Sequence, residues 1–387
     1  MPERALPFRL ALNAEASRTA PWSAEQDAIL SDKGLAAARA VIGGWPGYRP
    51  TPLASLSGLS AAFGVRSIAY KDEASRFGLG SFKALGGAYA VARILAAADD
   101  PAAVTVTCAT DGNHGRSVAW GAAMFGCRCV IFIHAAVSEG RKAAIAAFGA
   151  DVRRTPGNYD DSVRVAAATA KANGWHVVSD TSYPGYMTVP KDVMQGYEVM
   201  ASEAFDALPA PPTHIFLQAG VGGMAAAVAA LAKRRWGPAR PAIVLSEPEA
   251  AACWVASFEQ GAPTPVTGDL DTIMAGLACG EVSLLAWSIL KDHGDAAMAL
   301  PDAAAARMMR RLAAPARGDP PLVAGESAVA GLAALEAAMT APDAKAALGL
   351  GPASRILVFG TEGDTDPALY REIVGRDAAA VRAQAGG

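Results

Sequence analysis

Charge is scarce in this chain. Asp, Glu, Lys and Arg make up 18% of its 387 residues, and 34 basic against 37 acidic side chains leave a formal net charge of −3. That excludes the concentrated basic face with which proteins gather nucleic acid or an anionic membrane surface. Long apolar runs are missing as well: no stretch approaches the roughly 20 apolar residues that cross a bilayer. The opening MPERALPFRLALNAEAS carries charges within its first ten residues and no unbroken apolar core, so it makes a poor secretory signal. A cytoplasmic protein is expected, with neither nucleic acid nor membrane among its partners. Cysteines are few and scattered (Cys108, Cys127, Cys129, Cys253 and Cys279), an odd set that argues against a disulfide framework. Cys127 and Cys129 form a lone C-x-C in a segment that reads as a buried strand. Alternation would turn both thiols to one face, but no second ligand pair with metal-like spacing accompanies them, and no metal site is expected.

What is abundant is apolar surface, at 52% of residues, in a chain long enough for two or three domain-sized units. Short apolar runs alternate with longer Ala-rich stretches of helical character. VTVTC at 104–108, CVIFI at 129–133, DVRRT at 151–155 and HVVSD at 176–180 read as strands. Helices are expected between them over 114–125, 138–148 and 159–172. The series resumes with HIFLQ at 214–218, a helix from Gly223, AIVLSEP at 242–248 and RILVFG at 355–360, while SIAYKDE at 67–73 precedes the first series. Strand–helix–strand repetition at this spacing predicts βαβ units and parallel sheets. The expected division is a small α/β domain over 91–206 and a larger, discontinuous one over 1–90 and 207–387. The Pro-rich stretch at 207–213 makes the crossing, because prolines stop the helix before it.

Three segments carry chemistry, each placed where a strand ends. In KDEASRFGLGSFKALGGAYA at 71–90, Lys83 opens a helix after a Gly-containing loop. The macrodipole disfavours a cation there, so this amine is expected to shed its proton readily, as Schiff-base chemistry requires. A surface lysine in a first helical turn would look the same. In TDGNHGRSVAWGA at 110–122, Gly112 and Gly115 permit a tight turn that presents Asp111 and Asn113 at a helix N-terminus. Such an end binds anions or carboxylates, although an Asx turn explains it equally. In QAGVGGMAAAVAA at 218–230, the glycines let backbone N–H groups approach a phosphate, without the lysine of a P-loop. A tight βα turn is the plain alternative. So is a nucleotide site, with Glu247 at the end of the next strand as its ribose partner.

Taken in order, the three segments resemble fold-type II pyridoxal-phosphate (PLP) enzymes. The chain is similar to the diaminopropionate ammonia-lyase family, relatives of the serine and threonine dehydratases. The stretches that match are FGLGSFKALGGAYA, TDGNHGRSVAWGA, MQGYEVM at 194–200, QAGVGGMA, DTIMAGLACGE at 271–281 and TEGDTDP at 361–367. The resemblance implies a tryptophan-synthase-β-like α/β fold of two domains with mostly parallel sheets and PLP in the cleft between them. It implies that Lys83 carries the cofactor, that Asn113 bonds its phenolic oxygen, and that Gly220, Val221, Gly222, Gly223 and Met224 hold its phosphate through backbone N–H groups. Thr361 would place a hydroxyl near the pyridine nitrogen.

Asp111 stands where dehydratases of hydroxyamino acids typically have serine, and would match a β-ammonium group on a small amino-acid substrate. Asp180 occupies the position credited with proton abstraction from the D-isomer; a cap on TSYPGY is its plainer reading. The activity implied is α,β-elimination of 2,3-diaminopropionate to pyruvate and ammonia, in a homodimer. Dehydration of serine, threonine or 3-hydroxyaspartate is the first rival; a non-catalytic PLP- or nucleotide-binding regulator is the second. Lys191 and Asp192 add charge where relatives carry less, and their helix is expected to line the substrate side. With about twenty residues after TEGDTDP, no C-terminal regulatory domain of the threonine dehydratase kind is expected.

Overall fold

A computed structural model describes residues 6–110, 112–315 and 318–385. Its strands are β1 (Arg9–Leu12), β2 (Leu53–Ser55), β3 (Ser67–Asp72), β4 (Thr105–Ala109), β5 (Arg128–Ile133), β6 (Asp151–Arg154), β7 (His176–Val177), β8 (His214–Gln218), β9 (Ala242–Pro248), β10 (Ala296–Leu300) and β11 (Arg355–Gly360). They form two sheets. The larger has the order β1-β10-β9-β8-β11-β3-β2, parallel except for the antiparallel edge strands β1 and β2. The smaller, β6-β5-β4-β7, is parallel throughout. The protein is therefore α/β with mostly parallel sheets. Every residue of β8, β9 and β10 is buried, as continuous apolar strands covered on both faces must be.

Strand order decides where a site can form. In the large sheet β9 lies on one side of β8, while β11 and β3 lie on the other, so the chain reverses its direction of winding there. In the small sheet β4 has β5 and β6 on one side and β7 on the other. Crevices open beyond the carboxyl ends of strands at such switch points. The Lys83 loop follows β3, the glycine turn follows β8 and TEGDTDP follows β11. From the small sheet, TDGNHG follows β4 and Asp180 follows β7.

The expected strand over 176–180 is cut to His176–Val177. Val178 still donates its N–H to Thr107 O at 2.8 Å, but the Ser179 N–H is taken by the Tyr186 hydroxyl at 3.0 Å, which turns the chain away. The helix Lys83–Leu95 crosses the expected domain boundary at residue 90 and packs between the helices Asn113–Phe125 and Thr188–Ala207. Contact with the latter is close: a Cβ on Gly196 would lie 2.1 Å from Leu85 O.

Buried charge fastens the same region. Glu203, on helix Thr188–Ala207, accepts from Lys71 Nζ at 2.6 Å and from Arg76 Nη2 at 2.6 Å. Arg76 Nε donates to Glu73 at 2.8 Å, the Tyr48 hydroxyl donates to Glu203 at 3.1 Å, and Thr51 closes the network on Glu73. All four charged side chains are buried.

A buried histidine makes stability pH-dependent. His293 stacks on Trp22 with ring centroids 5.6 Å apart, and burial, with Arg240 and Lys233, pushes its pKa down to about 4. The unfolded chain binds a proton near pH ~6.5 that the native ring refuses until about 4. Stability is therefore full above that range and is lost as pH falls through it. Urea midpoints measured from pH 7 to 4.5 should decline, and less steeply in His293→Gln; equal slopes would contradict the assignment.

Candidate active site

Lys83 is the first residue of its helix, and the preceding Phe82 N–H donates to Thr361 O at 3.0 Å, which joins the loops after β3 and β11. The Lys83 ammonium pairs directly with the Asp180 carboxylate. It also lies 5.5 Å from the centroid of the Phe82 ring and 5.9 Å from that of Tyr197. Side-chain exposures of 20% for Lys83 and 18% for Asp180 leave both accessible from the cleft. Burial works against the lysine charge, but Asp180 outweighs it and holds Lys83 above the ordinary lysine range. Burial likewise opposes the carboxylate, and the Lys83 ammonium overcomes it, holding Asp180 below its ordinary value. The expectation of a readily deprotonated amine is thus corrected: a helix dipole contributes ~0.3–1 kcal/mol at a surface, and a carboxylate in contact overrides it. Asp180 partners the lysine rather than capping TSYPGY.

The turn Gly220–Met224 leads from β8 into the helix Gly223–Trp236. Gly222 has φ of +94°, and a Cβ there would lie 2.2 Å from Trp254, whose indole N–H donates to Gly220 O at 2.8 Å. The stretch DTIMAGLACGE closes over the turn, with Gly276 O 3.2 Å from a Cβ on Gly220. The first intrahelical bond runs from Ala226 N to Gly222 O. Among the described residues no acceptor meets the N–H groups of Gly223, Met224 and Ala225, so three donors at the positive end of a helix are free for an anion. The Asp180 carbonyl lies 3.5 Å from a Cβ on Gly223, which sets this cradle beside the lysine. Glu247 is not a ribose partner. Its carboxyl accepts from Trp254 N at 2.9 Å and Val255 N at 2.7 Å, capping the helix Cys253–Gln260, and burial pushes its pKa up to about 8.

Asn113 opens the helix Asn113–Phe125 and donates through Nδ2 to Glu362 of TEGDTDP, which also accepts from Ser327 N at 3.1 Å. Thr361 is buried, its hydroxyl accepting from Gln218 Nε2 at 2.7 Å across the β8–β11 seam. Arg141, from the helix Glu139–Ala146, reaches Glu326 at 3.3 Å and Asp366 at 3.6 Å, tying the small-sheet side to the large. Lys83, Asp180, the glycine turn, Asn113 and Thr361 thus converge. Asp111 lies outside the described residues.

On helix Thr188–Ala207 Asp192 faces elsewhere: it meets Arg93 Nε at 3.6 Å, and Arg93 lies ten residues along its own helix from Lys83. That helix lines the site through Met194 and Tyr197 instead. Tyr197, His114 and Glu362 escaped the sequence reading. Each lies inside a motif singled out above, and only the direction of its side chain distinguishes it from core or capping residues. Cys127 precedes β5 and Cys129 is buried within it, where burial raises the thiol pKa.

Residues 44–362 match the family of pyridoxal-phosphate dependent enzymes, and the chain belongs to that family. It is similar in particular to the diaminopropionate ammonia-lyase of Escherichia coli (strain K12), with 40% identity over 351 residues, 85% of this chain and 88% of that one. The crystal structure of the Escherichia coli enzyme in complex with D-serine superposes with a TM-score of 0.88 at 37% identity, covering 97% of this chain and 99% of that one. Its complex with an aminoacrylate–PLP azomethine reaction intermediate gives 0.87 at 38% identity, covering 95% and 97%.

The residues present fit PLP: a lysine amine in the cleft, and beside it uncovered N–H donors with no room for a side chain at Gly222. Gly222→Ala is expected to weaken PLP binding by about tenfold to a hundredfold, the equivalent of ~1–3 kcal/mol of strain and overpacking. Fluorescence titration of the apoprotein with PLP measures this, and an unchanged affinity would show that the turn does not hold the phosphate.

Proposed function

We propose that this chain, a PLP-dependent carbon–nitrogen lyase, eliminates ammonia from 2,3-diaminopropionate with Lys83 as the cofactor lysine and Asp180 as a proton-accepting base. When bound, PLP supplies an electron sink that stabilises negative charge at the substrate Cα. The backbone N–H groups of the turn Gly220, Val221, Gly222, Gly223 and Met224, continued by the free Ala225 N–H, would hold its phosphate. Asn113 and Thr361 would orient the ring from opposite loops, and Lys83 would carry the cofactor through its side-chain amine. Asp180 takes the α-proton, and Asp111 reads the β-ammonium group. The observation that carries this reading is the contact between Lys83 and Asp180 where loops from both sheets meet. An amine and a carboxylate there supply both nucleophile and base.

Two sheets drawn from separate stretches of chain support a small domain within 91–206, its first boundary shifted off residue 90 by the helix Lys83–Leu95, and a discontinuous large one, with PLP between them. A cytoplasmic homodimer belongs to the same reading. No helix among the described residues is long and apolar enough to cross a membrane.

Stoichiometry tests the reaction. Diaminopropionate plus water gives one pyruvate and two ammonia, whereas a hydroxyamino acid gives one 2-oxo acid and one ammonia. We expect a ratio of two. Turnover confined to hydroxyamino acids, at a ratio of one, would transfer the chain to the dehydratases.

A further inference from the structure

Beside the Lys83–Asp180 pair stands a third buried group that no step above uses. His114, 8% exposed, sits in the first turn of helix Asn113–Phe125. Its Nε2 is 2.8 Å from the Val178 carbonyl oxygen. A carbonyl only accepts, so Nε2 carries the hydrogen and the neutral ring leaves Nδ1 as a bare lone pair. That Nδ1 has no hydrogen-bond partner among the described residues and lies 3.8 Å from Asp180 Oδ2. Two acceptors therefore face each other, just beyond bonding distance. One proton between them would turn the gap into a hydrogen bond.

We propose that His114 is a positioning residue for Asp180, accepting at Nδ1 a hydrogen bond from the carboxyl O–H that forms when Asp180 removes the substrate proton. The inference rests on the reading of Asp180 as the base. The Cα–H bond breaks and its electron pair stays with the substrate. The proton forms an O–H bond on Asp180, and that O–H donates to His114 Nδ1. No charge is added at the imidazole and no further reactant is consumed. The Val178 carbonyl fixes both the ring plane and the tautomer, which keeps Nδ1 aimed at the carboxylate.

The groups around His114 agree. Burial is the leading influence on its pKa and lowers it, so the ring rests neutral. Asp180, from the segment after β7, and Lys83, from the neighbouring helix, are the charged groups that act on it, the first raising and the second lowering its proton affinity. A neutral acceptor beside Asp180 stabilises the protonated carboxyl and so raises the carboxyl pKa during turnover. Removing that acceptor lowers it.

The test uses the full-length, PLP-loaded protein labelled with ¹⁵N-histidine. The His114 spectrum should show the Nε2–H tautomer with an unprotonated Nδ1, and Asp180→Asn, whose amide can donate, should move the Nδ1 resonance upfield. A protonated Nδ1 in the resting enzyme would overturn the proposal. In kinetics, His114→Phe, which keeps the ring volume and has no acceptor, should keep KM within about threefold while kcat falls by about tenfold to a hundredfold. The loss should affect the same isomer of diaminopropionate that Asp180→Asn affects, with the acid limb of the kcat profile moved to lower pH. An unmoved acid limb, with Asp180→Asn still selective for one isomer, sinks the role of His114 alone. Full turnover of both isomers by Asp180→Asn sinks the reading of Asp180, and the proposal with it.

Discussion

Lys83→Ala is expected to abolish turnover, lowering kcat by at least about a thousandfold, the scale on which removal of a covalent catalyst is felt. The visible absorbance of the lysine-bound cofactor should vanish with it. Few side chains could be removed with so little structural cost. Lys83 is partly exposed, opens a helix that alanine favours, and pairs with Asp180. Asp180 would then lose the counter-charge that offsets its burial, and its pKa should rise toward the ordinary carboxylate range and beyond. Circular dichroism and a urea midpoint close to wild type would accompany the dead enzyme. Retention of both turnover and absorbance would mean that another amine holds PLP.

The largest stability effect is expected at a distance from the chemistry. Glu203→Ala strands Lys71 and Arg76, both fully enclosed, beside the single remaining carboxylate of Glu73. Uncompensated buried charge of this kind costs about 3–5 kcal/mol. The loss should be read in urea unfolding as a lower midpoint of the first transition. Because Arg76 begins the loop that ends at Lys83, cofactor affinity should fall in parallel. Glu203→Gln, which keeps an acceptor, should lose less. A change below about 1 kcal/mol in the alanine variant would place the network among ordinary surface ion pairs.

Much of this architecture is legible in the sequence, and the reasons are local. HIFLQ, AIVLSEP and RILVFG match β8, β9 and β11 residue for residue, because strands buried on both faces are unbroken apolar runs bounded by turns. Gly223 is the first residue of its helix, as its place after the glycine turn requires. What escaped was shorter or compositionally disguised. β10 is AAMAL, an Ala-rich string that reads as helix in a chain full of Ala-rich helices, and β1 and β2 have four and three residues.

The site divides in the same way. Lys83, Asn113 and the glycine turn were legible because each is carried by its own contiguous motif. The pairing of Lys83 with Asp180 joins residues 97 apart and depends on how two sheets face each other. The Lys83 motif shows the helix end but not that carboxylate, and so understates the lysine's proton affinity. His114 stands next to Asn113 in the sequence, yet its importance lies in where one nitrogen points.

The most direct test of the central claim is pyruvate release by the purified, PLP-loaded protein, with D- and L-2,3-diaminopropionate run beside serine, threonine and 3-hydroxyaspartate. The predicted result is a kcat/KM for diaminopropionate at least about a hundredfold above any hydroxyamino acid, a discrimination of ~2.7 kcal/mol that one matched charge can supply. A preference for a hydroxyamino acid would contradict the substrate assignment while leaving Lys83 and the cofactor in place.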